Sequence, residues 1–204
     1  MADKPEDVAP AVEDEKEKGP HPLQWQWTMY YNPPHNHKRN PGAKWTSNVR
    51  EVVSFDTIED FWRLFNNLEP PSKLAPGSNY HLFKKGIKPE WEHVCNSEGG
   101  KWIISMSRKE DVRLDSSWMN LVLAMIGEHF EDSEDICGLV ISPRQSSSKL
   151  ALWTKTACAE KIQMSIGRAF KGLTDGKDQL TYQVHADALT SRQSFKNKPK
   201  YLLC

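Results

Sequence analysis

The stretch LQWQWTMYY, Leu23 to Tyr31, sets Trp25, Trp27 and Met29 at every second position with polar residues between them. Alternate side chains of an extended chain point to opposite faces, so this pattern predicts a strand with one buried and one open face. Indoles this large on one side need a covering layer, which means a sheet with something packed over it. Downstream, Asn32 to Ala43 (NPPHNHKRNPGA) has three prolines and a glycine and reads as a surface loop. Val49 to Phe55 is a second strand. Asp56 followed by Glu59 resembles a capping box, and Ile58, Phe61, Trp62 and Phe65 then repeat at helical spacing, so the first helix ends before Pro70-Pro71.

The rest alternates in the same way. Tyr80 to Ile87 is strand-like, and Lys88 to Gly100 is a long loop carrying Trp91. Gly99-Gly100 is expected to supply positive φ at the turn into the strand Lys101 to Ser107. A second helix is predicted over Ser116 to Phe130. Strands Ile136 to Ser142 and Lys149 to Lys155 flank the loop Pro143 to Ser148. A third helix covers Ala159 to Lys171, with Ile162, Ile166, Ala169 and Phe170 on one face. Leu180 to Ala186 alternates, and Tyr201 to Leu203 is a last short strand. About eight strands with three helices between them predict an α+β fold, an antiparallel sheet covered by helices on one face. The other face is left free to hold a ligand.

Composition narrows the function. Among 204 residues, 27 are Lys or Arg and 27 are Asp or Glu, and no run of ~18 apolar residues occurs, so no membrane-spanning helix is expected. Residues 1–20 hold seven acidic and three basic residues and no aromatic, which predicts a disordered acidic tail ahead of one domain over 21–204. The remainder carries a net +4 that the tail masks. Residues 1–20 also lack the apolar core of a signal peptide, giving an expectation of cytoplasm with a nuclear fraction. Cys95, Cys137, Cys158 and Cys204 form no CxxC pair, so free thiols are expected, with no disulfide frame, metal site or cofactor. Eight tryptophans exceed what core packing asks for.

For Trp25, Trp27, Trp102 and Trp118 the core is the simplest reading. Trp45 and Trp91 lie in no periodic apolar run and have polar neighbours, so either packing back onto the core or holding a ligand fits them. Trp153 lies on a strand beside the polar loop. Glu92, next to Trp91, is suited to accept hydrogen bonds from a planar base stacked on the indole. Arg144 and Lys149 bracket the loop RQSSSK, and Lys101 follows the glycine pair, all able to hold phosphate. The second helix is apolar nearly all round from Trp118 to Ile126, which burial between neighbours or an exposed groove would each explain.

Nine stretches carry a family resemblance: HPLQ (21–24), KWTSNVR around Trp45, FDTIEDFWRLFNN (55–67), FKKGIKPEWE (83–92), GGKWII (99–104), LAMIGEHF (123–130), ICGLVISPR (136–144), KLALW (149–153) and HAD (185–187). In this order and spacing they resemble the eukaryotic translation initiation factor 4E family, which binds the 7-methylguanosine cap of messenger RNA. The resemblance implies a curved antiparallel sheet backed by three helices, with the cap in a slot on the concave face. It implies that Trp45 and Trp91 sandwich the base. Methylation makes that base cationic, and a cation on an indole face gains roughly 0.5–2 kcal/mol. Glu92 would accept the N1–H and the amine, the Trp91 backbone N–H would meet the base oxygen, and Trp153 would touch the methyl group. Arg144, Lys149 and, through water, Lys101 would hold the triphosphate. Ser146 departs from the family, where many members carry lysine.

The resemblance further implies a monomer whose helical face binds scaffold initiation factors and repressor proteins through a Tyr-x-x-x-x-Leu-apolar helix. The matching residues are His21, Pro22, Ile58, Trp62, Met119 and Leu123. Asn120 stands where relatives usually carry Glu, and Ser194 lies near a position phosphorylated in the family. The function implied is cap binding and scaffold recruitment without catalysis. The alternatives are a cap-binding repressor of the same fold, or a capped-RNA hydrolase. For a hydrolase of the Nudix type, the acids Glu128, Glu131, Asp132, Glu134 and Asp135 lack the Arg-Glu core of the metal-binding helix.

Overall fold

In the computed structural model, residues 19–34, 48–107, 109–191 and 197–204 are described. The sequence-based expectations for residues 1–18, for Trp45 and most of its loop, and for Ser194 lie outside the described residues. Strands β1 (Pro22–Asn32), β2 (Arg50–Thr57), β3 (Asn79–Lys84), β4 (Gly100–Ser107), β5 (Ile136–Pro143), β6 (Ser147–Thr154), β7 (Leu180–Val184) and β8 (Tyr201–Leu203) form one open sheet. Its order is β2-β1-β3-β5-β6-β4-β7-β8, and the neighbouring strands pair antiparallel. The helices are α1 (Ile58–Phe65), α2 (Val94–Ser97), α3 (Asp111–Ile126), α4 (Glu160–Leu173) and α5 (His185–Ser191).

Strand parity builds two unequal faces. Trp27, Met29, Leu82, Trp102, Ile104, Leu139, Ile141, Leu150, Leu152 and Tyr182 point to one side and join Phe61, Trp118, Leu121, Ile166 and Phe170 from α1, α3 and α4 in the main core. Trp102 also donates its indole N–H to the Gln163 carbonyl at 3.1 Å, fixing α4 over the sheet. The opposite side carries a small cluster of Phe83, Ile87, Cys137, Val140 and Trp153, with Tyr30, Trp91 and Ala151 at its edge.

Several elements differ from the sequence expectation. The cap of α1 is Thr57 rather than Asp56, its hydroxyl accepting from the Asp60 N–H at 3.2 Å. Helix α3 begins at Asp111 and stops at Ile126. Its first turn is held by Arg113, which donates to Glu110, Asp178 and the Thr174 carbonyl, a polar anchor that apolar periodicity does not register. Gly127 closes the helix and Glu128 follows at φ 56°, so Phe130 is buried from a loop. The alternation after Leu180 ends at Val184, where α5 begins. Gly99 and Gly100 do not have positive φ. They are required by crowding, because a Cβ on Gly99 would sit 1.9 Å from the Thr154 carbonyl and one on Gly100 would enter the Tyr182 ring.

Candidate cap-binding face and partner face

The bare face follows from the same parity that fills the core. With Trp102 and Ile104 turned inward on β4, Lys101 projects outward. With Leu150 and Leu152 inward on β6, Lys149, Ala151 and Trp153 project to the same side. The register pairs Lys101 with Trp153 and Ser105 with Lys149. Phe83 on β3 and Gly138 on β5 continue the row, and the Phe83 ring meets Trp153 edge-on at 5.4 Å between centroids. Only glycine fits at 138, since a Cβ there would lie 2.5 Å from both the Leu82 carbonyl and the Phe83 ring.

Trp91 reaches this floor from the loop after β3. Asn96, on the single turn of α2, holds that loop from within: its amide donates to the carbonyls of Lys88 at 2.8 Å and Glu90 at 2.7 Å, and the residue is 0% exposed. The buried Cys137 thiol, pushed up to about 12 by burial, donates to the Cys95 carbonyl and ties α2 to β5. Glu92 stands exposed beside Trp91. On the far side of Trp153 the His185 ring packs at 4.2 Å, held neutral by burial and by Lys101, its pKa drawn down to about 3.

Three cations gather on this face. Lys101, 7% exposed, places its ammonium 5.5 Å from the Trp91 ring centroid and 5.8 Å from that of Trp153. Burial and then Lys149 lower its pKa to about 8. Lys149 is lowered by burial and then by Arg144, and Arg144 by burial. Arg144 thus bears on Lys149 and Lys149 on Lys101, a line of positive charge suited to an anionic ligand. Arg144 is also a structural strut, donating to the carbonyls of Ser78 and Pro143 and to the Asn79 side chain. His81 shares the face, fully buried, its pKa drawn down to about 3 by burial and by Arg144.

The family is decided by comparison with known proteins. Residues 22–200 match the family model described as eukaryotic initiation factor 4E. The chain belongs to that family. A wheat (Triticum aestivum) protein named eukaryotic translation initiation factor isoform 4E-2 is 43% identical over 177 residues, covering 87% of this chain and 83% of its own length. Among solved structures of the family, Caenorhabditis elegans eIF4E-3, in complex with the 4E-binding protein Mextli and a cap analog, is 35% identical with a TM-score of 0.79, covering 90% of this chain and 99% of that one. A schistosome eIF4E complexed with m7GpppG and 4E-BP is 31% identical with a TM-score of 0.80, covering 91% and 100%.

A second surface of this 4E-family chain lies on the opposite, helical layer. Ile58 and Trp62 on α1 are 43% and 40% exposed, and on α3 Leu123 is 36% exposed and Met119 partly buried. The two helices are joined below it by the Phe65–Trp118 stack. His21 and Pro22 border α1: the His21 carbonyl accepts from the Ile58 N–H at 2.9 Å, and the His21 backbone N–H and ring both reach the Glu59 carboxylate. The all-round apolar character of α3 thus has two causes. Trp118, Leu121, Val122, Ala124, Met125 and Ile126 are core, whereas Leu123 faces outward.

The structure thus brings Trp91, Trp153, Lys101, Lys149 and Arg144 to one region, with Glu92 next to Trp91 in the chain; His21 and Pro22 border Ile58 and Trp62 on α1, and Met119 and Leu123 lie on α3. Sequence reasoning missed Asn96 and His81. A buried polar residue leaves no trace in hydrophobic periodicity, although strand parity with Phe83 would have placed His81 on the open face.

Proposed function

We propose that this chain binds the 7-methylguanosine cap of messenger RNA on the bare face of its sheet and a helical peptide of a scaffold initiation factor on its helical face. The observation that carries the reading is the meeting on the bare face of Trp91 and Trp153 with the Lys101 ammonium, 5.5 and 5.8 Å from their rings, with Lys149 and Arg144 next in line. The cationic base stacks on Trp91 and on Trp45, the latter assigned from the family motif alone. Base–indole stacking is worth roughly 1–3 kcal/mol and the positive charge adds to it. Glu92 accepts the N1–H and amine, a charge-assisted pair that favours the methylated, cationic ring over guanine. Trp153 borders the methyl group, and Arg144, Lys149 and Lys101 receive the phosphates. The solved relatives bound to a cap analog or m7GpppG support this assignment.

On the second surface, the peptide's leucine packs against Trp62 and its tyrosine meets the backbone at His21 and Pro22. The relatives solved with Mextli and with 4E-BP support a partner there. An exposed Trp62 patch favours scaffold recruitment over a repressor that excludes the scaffold. The role is binding without catalysis, by a monomer in the cytoplasm. Tryptophan fluorescence titrated with 7-methyl-GDP and with GDP tests the slot: a preference of at least tenfold for the methylated nucleotide is expected, and equal affinity would reject it.

A further inference from the structure

The backbone at His21 and Pro22 lies where β1 has left its regular ladder with β2. Pro22 stands opposite Thr57 and Trp27 opposite Phe55, so Leu23 to Gln26 all face the single residue Asp56. The first turn of α1 holds the segment instead. The Ile58 N–H donates to the His21 carbonyl at 2.9 Å, the His21 N–H donates to one Glu59 carboxylate oxygen at 2.9 Å, and the His21 ring lies 2.7 Å from the other. One carboxylate thus grips both the backbone and the side chain of the residue that leads into Pro22. Arg63, one turn further along α1, is paired with Asp60 and does not draw Glu59 away. The hydrogen bond from His21 holds the Glu59 carboxyl below the usual carboxylate range. The two side chains are 58% and 40% exposed, and a pair so open to water adds little to stability. Its effect is on where the backbone is held more than on whether the chain folds.

We propose that Glu59 is a positioning residue of the partner surface, holding the His21–Pro22 backbone in place for the hydroxyl of the peptide's tyrosine and so setting a preference for tyrosine over phenylalanine there. Ordering a loose segment costs entropy, and a surface whose backbone is already fixed is spared that cost when the peptide docks. The exposed aliphatic side chains of Ile58 and Leu123 have no polar atom with which to tell the two rings apart, so the choice falls to the clamped backbone. A site built to bond a hydroxyl discriminates against the ring that lacks it, provided the bonding group does not move away. Glu59 supplies that condition. This inference rests on the partner-peptide reading above.

The test is calorimetry of the full chain and of Glu59→Ala, Glu59→Gln and His21→Ala with synthetic peptides. One is Tyr-x-x-x-x-Leu-Leu with alanine at each x, a second replaces its tyrosine by phenylalanine, and a third adds arginines at x positions. The unaltered protein is expected to prefer the tyrosine peptide by about tenfold. Glu59→Ala should weaken the tyrosine peptide by about tenfold and the phenylalanine peptide by less than about twofold, with 7-methyl-GDP affinity unchanged within about twofold. Glu59→Gln, whose amide keeps one acceptor oxygen, should fall between. His21→Ala, which keeps the backbone N–H, should lose less than Glu59→Ala, and the double variant no more than Glu59→Ala alone. Equal losses for the tyrosine and phenylalanine peptides in both Glu59 variants, no loss for either, or no tyrosine preference in the unaltered protein overturns the proposal. A loss confined to the arginine peptide also overturns it, since Glu59 then meets the partner directly. If the unaltered protein binds none of the peptides, the partner reading itself fails, an outcome distinct from the others.

Discussion

On its helix-covered side, β4 and β6 contribute Trp102, Ile104, Leu150 and Leu152 to a fully buried apolar layer; on the other side the same two strands contribute Lys101, Lys149 and Trp153. The backbone is shared, and only the parity of the residues differs. The first face gains its stability from apolar area removed from water, at about 25 cal/mol per Å². The second works against folding, since burial disfavours charge on Lys101, Lys149 and Arg144 and on His81 and His185. The lesson is that one parity of each strand builds stability while the other carries the polar groups a ligand would meet.

Breaking the apolar face should have the largest effect. Trp102→Ala removes an indole that fills the space above Gly167 and bonds to Gln163, and a loss of about 3–5 kcal/mol is expected. Urea unfolding would register it as a shift of midpoint. Acid should break the charged face instead. His81 and His185 have pKa values near 3 in the folded chain, whereas an unfolded histidine protonates near 6.5. The unfolded state therefore binds more protons as pH falls below 6.5, and stability drops by about 1.4 kcal/mol per pH unit for each histidine until the folded pKa is reached. Unfolding midpoints measured at pH 6.5, 5.5 and 4.5 should follow that slope, and His185→Gln should remove about half of it.

Two smaller changes sharpen the comparison by probing the outer surface of the helical layer. Trp62→Ala should weaken binding of a Tyr-x-x-x-x-Leu-apolar peptide by at least about thirtyfold, as for a central interface anchor, while cap-analog affinity stays within about twofold. Calorimetry with each ligand separates the two surfaces, and loss of both affinities would dissolve the distinction. Thr57→Ala removes the α1 cap bond and should lower stability by about 1 kcal/mol, a fall in melting temperature of roughly 2–4 °C measured by circular dichroism.

The parts of this design legible in sequence are those written as period. Trp25, Trp27 and Met29 gave β1, and the spacing of Ile58, Phe61, Trp62 and Phe65 gave α1, because burial of one stripe leaves a repeating signature. Elements held by polar contacts were read less well. The start of α3 depends on Arg113 reaching Asp178 across the fold, and α5 is a seven-residue helix continuing an alternating strand pattern. The glycine pair at 99–100 was recognised as special but for the wrong reason, since crowding by Thr154 and Tyr182 can be seen only in three dimensions. For the site, Trp91, Glu92, Arg144 and Lys149 were candidates from their polar surroundings, and the family resemblance gave each its expected role. Asn96, which fixes the loop carrying Trp91, was not, because a buried amide bonded to carbonyls six and eight residues earlier looks in sequence like any loop asparagine.

The strand order has a consequence for how the molecule comes into being. Among the described residues β4 does not pair with β3, its predecessor in the chain; it pairs with β6 and β7, and β3 pairs with β1 and β5. A growing polypeptide that has reached Ser107 therefore holds Trp91 and Lys101 but has nowhere to lay the strand that bears Lys101. The hairpin β5–β6 must insert first, with its long-range contacts and the slow closure they entail. Ligand competence thus arrives late and all together, and an incomplete chain emerging from the ribosome has no means of seizing a message.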